Sequence, residues 1–96
     1  MLSVYDVTNV VYAGTKLNTS DALEYSTSVL SCMKMFIECV GVIHVPARVW
    51  ECVNNAVELT KIVQLANAEN NAAVAHFACD ILSYWYAEFT SAIMPA

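Results

Sequence analysis

The sequence predicts an all-α protein: a small up-down helical bundle, one short N-terminal helix plus three longer helices, in a single helical domain over residues 1–96. Three observations carry this prediction. Apolar residues recur at helical spacing through long stretches, most strongly from Ala72 to Ile93. The chain has only two glycines and two prolines, and Gly14, Gly41 and Pro46 stand where those stretches should break. Good helix-capping residues precede two of the stretches: Asn18, Thr19 and Ser20 before one, Asn70 and Asn71 before the other.

Ser3 to Ala13 forms the short first element. Val4, Val7, Val10 and Val11 lie at helical spacing, Ser3 and Asp6 suit a capping box, and Gly14 suits the position just past a helix end. Its valines and tyrosines also suit a strand. As a helix it places Tyr5, Asn9 and Tyr12 opposite the valines, a ridge fit either for water or for a partner. A loop from Thr15 to Ser20 leads into a long helix that ends near Val40. Its inner face is Ala22, Leu23, Val29, Leu30, Met33, Phe36, Ile37 and Val40, with Ser26 inside the stripe and Met35 stranded on the polar side beside Cys39.

Gly41 stops that helix, and Val42 to Val45 must be extended or turned because Pro46 follows. The next helix starts at Pro46 and runs to about Ala66. Val49, Trp50, Val53, Ala56, Val57, Thr60 and Val63 form its inner face, while Ile62 and Leu65 fall on the outer, charged side. Asn67, Asn70 and Asn71 supply a break before the last helix. Neither Gly nor Pro enforces it, so a single helix from Ala47 to about Ile93, steadied by a second chain, is an alternative.

The last helix, Ala72 to Ile93, is the most apolar. Val74, Phe77, Ala78, Ile81, Leu82, Trp85, Phe89, Ala92 and Ile93 share one side, and His76, Asp80, Ser83, Ala87 and Ser91 the other. The apolar side covers more than half the circumference, wider than the ~100° stripe of a surface helix. Tyr84, Trp85 and Tyr86 point in three directions about 100° apart. Trp85 falls near mid-arc and is expected in the core, with Tyr84 and Tyr86 at its edges. Glu88 lies inside the arc, either reaching water from a frayed last turn or paired across an interface, because a lone buried carboxylate is costly.

Composition narrows the function classes. Hydrophobic residues make up 58% and charged residues only 14%, against about 25% in an average soluble domain. Much of the surface must therefore be Asn, Ser, Thr, Tyr and leftover apolar side chains, which favours association. The net charge is −5, and the four basic residues, Lys16, Lys34, Arg48 and Lys61, form no patch for a phosphate backbone. No nucleic-acid partner is expected. No secretory signal pattern is visible, and the longest apolar run, Val40 to Ile43, is too short to span a bilayer. The expectation is a cytoplasmic protein with no membrane partner and with Cys32, Cys39, Cys52 and Cys79 reduced.

Chemistry is weakly represented. His76 and Cys79 stand one turn apart, and Cys39 and His44 flank the Gly41 turn, but neither pair has a standard zinc spacing. Asp80 gives His76 a simpler partner. His76 and Asp80 also supply a base and an orienting acid, yet no glycine-rich loop presents a nucleophile or an oxyanion hole. No catalytic residue, metal or cofactor is expected. The helix order and the Arg48-Val49-Trp50-Glu51-Cys52-Val53 opening loosely resemble the small helical replicase subunit of coronaviruses, a likeness confined to one Trp and one Cys-Val.

The reading is then a small acidic interaction module that self-associates and acts as an accessory or inhibitory subunit on another protein. Its expected contact residues are Tyr5, Asn9, Tyr12, Met35, Ile62, Leu65, Tyr84, Tyr86 and Glu88. The alternative is a protein that sequesters a planar or nucleotide-like ligand in a pocket between protomers, stacked by Tyr5, Tyr12, Tyr84, Trp85 and Tyr86.

Overall fold

A computed structural model describes residues 18–94. They form three α-helices, α1 (Thr19–Val40), α2 (Ala47–Ala68) and α3 (Ala72–Ile93), with a single 3-10 turn at Val42–His44. The expected short helix at Ser3–Ala13, with Tyr5, Asn9 and Tyr12, lies outside the described residues.

Local chemistry sets each boundary. The Asn18 side-chain oxygen accepts the Asp21 N–H at 2.7 Å and so satisfies one of the donors a helix start leaves unpaired. Gly41 ends α1 at φ +90°, a conformation that L side chains rarely adopt, and its N–H donates to the Ile37 carbonyl at 2.9 Å. The chain turns once and Pro46, at φ −61°, leads into α2.

The second break is real, so α2 and α3 are separate helices. Asn70 takes φ +53°, the left-handed conformation that Asn tolerates better than most residues. Its N–H donates to the Asn67 carbonyl at 3.2 Å, and the Asn71 N–H donates to the Ala66 carbonyl at 2.8 Å. This is the Schellman pattern, and it closes α2 without a glycine. Asn71 then caps α3, its side-chain oxygen accepting the Val74 N–H at 3.2 Å.

Side-chain contacts give the helix directions. Arg48 at the start of α2 bridges to Glu88 near the end of α3 at 3.0 Å, so these two helices are antiparallel. The Phe36 and Phe89 rings meet edge-on at 5.6 Å, and the Cys79 thiol donates to the Ala22 carbonyl at 3.7 Å, so α1 and α3 run parallel. The core is one cluster drawn from all three helices. Small residues (Ala22, Cys52, Ala56, Ala75, Ala78 and Cys79) line it and let the helices approach closely, while Met33, Leu82, Tyr86 and Phe89 fill its middle. Two buried hydroxyls turn back on their own helices: Ser26 donates to the Leu23 carbonyl at 3.0 Å and Thr60 to the Ala56 carbonyl at 2.8 Å.

Two faces differ from the sequence expectation. On α2, Cys52, Leu59 and Ala66 are buried while Trp50 and Val57 are half-buried. On α3 the buried set is Ala75, Ala78, Cys79, Leu82, Tyr86 and Phe89, which turns the inner face by roughly 60° from the middle of the apolar arc. Tyr86, expected at an edge, is only 3% exposed, whereas Trp85, expected at the centre, is half-buried. Two neighbouring helices on one side cannot cover an arc so wide. The core takes one end of it and leaves the other to solvent.

Candidate interaction surface

The uncovered end of that arc is a straight apolar stripe along α3. Val74, Phe77 and Tyr84 are exposed, Phe77 at 66% and Tyr84 at 55%, and half-buried Ile81 sits between them. The spacing i, i+3, i+7, i+10 is that of a helix-packing seam, about three turns long.

The stripe continues onto α2. Arg48 fixes the register: its guanidinium pairs with Glu51 on its own helix and with Glu88 on α3, and lies 5.2 Å from the centre of the Trp85 ring. The hydrogen bonds that Arg48 donates to Glu51 and then to Glu88 raise its pKa further still. The flank of α2 that carries Arg48 therefore faces the flank of α3 that carries Glu88 and Trp85. Counting the same distance onward along α2 and back along α3 brings Ile62 level with Val74. Ile62 and Leu65 are both exposed, as their places on the charged side predict. The shallow groove between α2 and α3 is thus apolar near the Asn70 turn and charged toward Arg48, Glu51 and Glu88.

Glu88 pairs within the chain. Its carboxylate is partly exposed and is held by Arg48, so it is neither frayed into water nor an orphan charge awaiting a partner. Tyr86 faces the other way. Its ring lies parallel to Phe89 at 6.3 Å, and its hydroxyl is buried beside the Cys32 thiol, which leaves nothing for a partner to touch. Met35 is exposed on the outer side of α1. A second apolar patch lies at the opposite end of the molecule from the Asn70 turn, where Val40, Val42, Ile43 and Met94 are exposed and Ile43 reaches 89%.

The seam between α1 and α3 holds Tyr25, Cys79 and Tyr86, and Cys52 is buried on α2. Burial, then the nearby Asp80 carboxylate, pushes the Cys79 thiol up to about 12. Burial raises Cys52, Tyr86 and Tyr25 as well, with Ser83 opposing the rise at Tyr25. Such thiols stay protonated at neutral pH and are poor nucleophiles and poor metal ligands. Among the described residues no group of three or more His, Cys, Asp or Glu side chains is placed to hold a metal ion. His76 lies 3.6 Å from Asp80, the partner its spacing suggests. Among the described residues no helix is long and apolar enough to cross a membrane.

Sequence reasoning named Tyr84, Ile62 and Leu65 as contact residues but placed Val74, Phe77 and Ile81 only on the broad apolar side of α3, and so missed that half of the surface. The signal was the excess width of the apolar arc, which says that some part must stay uncovered but not which part. No protein-family model matches the chain, and neither a curated protein nor a solved structure matches it.

Proposed function

We propose that this chain is a small acidic protein-interaction module that self-associates and serves as an accessory or inhibitory subunit on another protein. The observation that carries the reading is the stripe of Val74, Phe77 and Tyr84 exposed along α3, with exposed Ile62 of α2 level with Val74 beside it. Continuous apolar surface rimmed by polar groups marks a contact site on a small protein. The second patch, around Ile43 and Met94, gives a self-associated form a separate face for a different protein.

The ligand-sequestering alternative draws less support. It needs Tyr84, Trp85 and Tyr86 to line one wall, yet Tyr84 is in solvent, Trp85 lies against Arg48 and Tyr86 is in the core. Static light scattering across the micromolar range tests the main reading. The expected mass exceeds the 10.5 kDa of one chain and grows with concentration. A constant single-chain mass over that range refutes self-association.

A further inference from the structure

Granting the self-association just proposed, we infer that the occupant of the α2–α3 groove is the α3 helix of a second copy, packed antiparallel about a two-fold axis at the level of residue 79. Val74, Phe77, Ile81 and Tyr84 are spaced three, four and three residues apart, an order that reads the same from either end. An antiparallel copy therefore sets Val74 against Tyr84 and Phe77 against Ile81, with each aromatic ring facing an aliphatic side chain. No ring is forced onto a ring, and no apolar position is left over. Ile62, level with Val74, widens the seat for the incoming tyrosine.

The polar ends agree with this register. Beyond Tyr84 the seam reaches Glu88, already held by Arg48. The same two-fold carries Glu88 past the end of the facing apolar stripe, to the level of the Asn70-Asn71 turn. A carboxylate there meets amides and water. A parallel pairing would instead bring the two Glu88 side chains together, with like charges close to the axis.

The size of the seam sets the strength. Exposed parts of two aromatic and three aliphatic side chains amount to roughly 500 Å² per protomer, or about 1,000 Å² for the pair, at the lower limit for a specific interface. With a net charge of −5 on each chain, the dimer is weak and reversible, with a dissociation constant on the order of 10 µM.

Sedimentation equilibrium on the full chain tests this, with circular dichroism to confirm that each variant is folded. Phe77→Glu, at an exposed position, should leave the helix signal intact and raise the dissociation constant by roughly 30-fold or more. Tyr84→Ala should raise it by about tenfold. Ile43→Glu, on the other patch, should leave it unchanged. The orientation is read by mixing: Phe77→Glu chains and Ile81→Lys chains should pair with each other more tightly than either pairs with itself, because residue 77 of one chain faces residue 81 of the other. A dimer that survives Phe77→Glu, or one lost on Ile43→Glu, overturns the interface and leaves self-association standing. Mixing that yields no preferred heterodimer overturns the antiparallel register. A wild-type chain that stays monomeric overturns both readings. If Phe77→Glu then lowers its thermal midpoint, another part of the same chain covers the groove; if it does not, the groove waits for a different protein.

Discussion

Replacing Tyr86 separates the two accounts of α3. If the middle of the sequence's apolar arc were the core, Trp85 would hold the bundle and Tyr86 would be an edge residue. The structure instead puts the Tyr86 ring between α1 and α3, only 3% exposed and parallel to Phe89. Truncation to Ala removes a whole aromatic ring from a close-packed interior. Such changes cost about 3–5 kcal/mol. A domain of this length has a total stability of roughly 5–14 kcal/mol, so Tyr86→Ala consumes a large part of it. At about 4–8 °C per kcal/mol, the thermal midpoint should fall by at least ~12 °C.

Tyr86→Phe isolates the hydroxyl. That oxygen is buried beside the Cys32 thiol and makes no well-formed hydrogen bond among the described residues. Removing it gives up no good partner and relieves a desolvated polar group, so the change should be neutral or stabilising by about 1 kcal/mol. Urea unfolding followed by circular dichroism, at one fixed protein concentration, measures both variants. A loss below ~1 kcal/mol for Tyr86→Ala would refute the burial of the ring. A loss above ~2 kcal/mol for Tyr86→Phe would show that the hydroxyl is well bonded.

Two further outcomes follow from the turn and from the buried acids. Asn70→Val should cost about 1–2 kcal/mol, because a β-branched residue is forced to φ +53°, while Asn70→Gly should stay within about 0.5 kcal/mol of wild type; equal midpoints for the two would contradict the Schellman turn. Stability should be insensitive to the buried Cys and Tyr groups below their ordinary values of 9.0 and 10.0 and should fall above them. In that window the unfolded chain has released protons that the folded chain still holds. Each group then removes up to ~1.4 kcal/mol per pH unit, for Cys79 until about pH 12. A thermal midpoint that is flat from neutral pH through pH 11 would mean that these groups are not buried.

The helices themselves were legible because their causes are local. The apolar period, the Asn18 cap, the Gly41 stop and the Pro46 start each depend on a few neighbouring residues, and all four act where the sequence puts them. The α1 face was also legible, since its apolar stripe is narrow enough to have one middle. Tyr25 and Val40 are the exceptions there: the Tyr25 phenol reaches the α3 seam from a position that looks peripheral on a wheel, and Val40, placed on the inner face, is exposed at the helix end beyond the reach of α2 and α3. Met35, Ile62 and Leu65 were read correctly as exposed, being apolar residues alone on polar faces.

The rest turned on neighbours that a single sequence does not display. The sequence by itself determined that this chain is helical, where α1 begins and ends and where α2 begins; it left open whether α2 and α3 are one helix, which the left-handed turn at Asn70 decides. It also determined that α3 carries more apolar surface than a small bundle can bury. Only the tertiary structure decided which part of that surface is core. The direction from which α1 and α2 approach α3 depends on contacts distant in sequence, such as Arg48 with Glu88 and Phe36 with Phe89. Those contacts turn α3 by less than one residue step, enough to send Tyr86 inward and Phe77 outward, because on a helix neighbouring residues point about 100° apart.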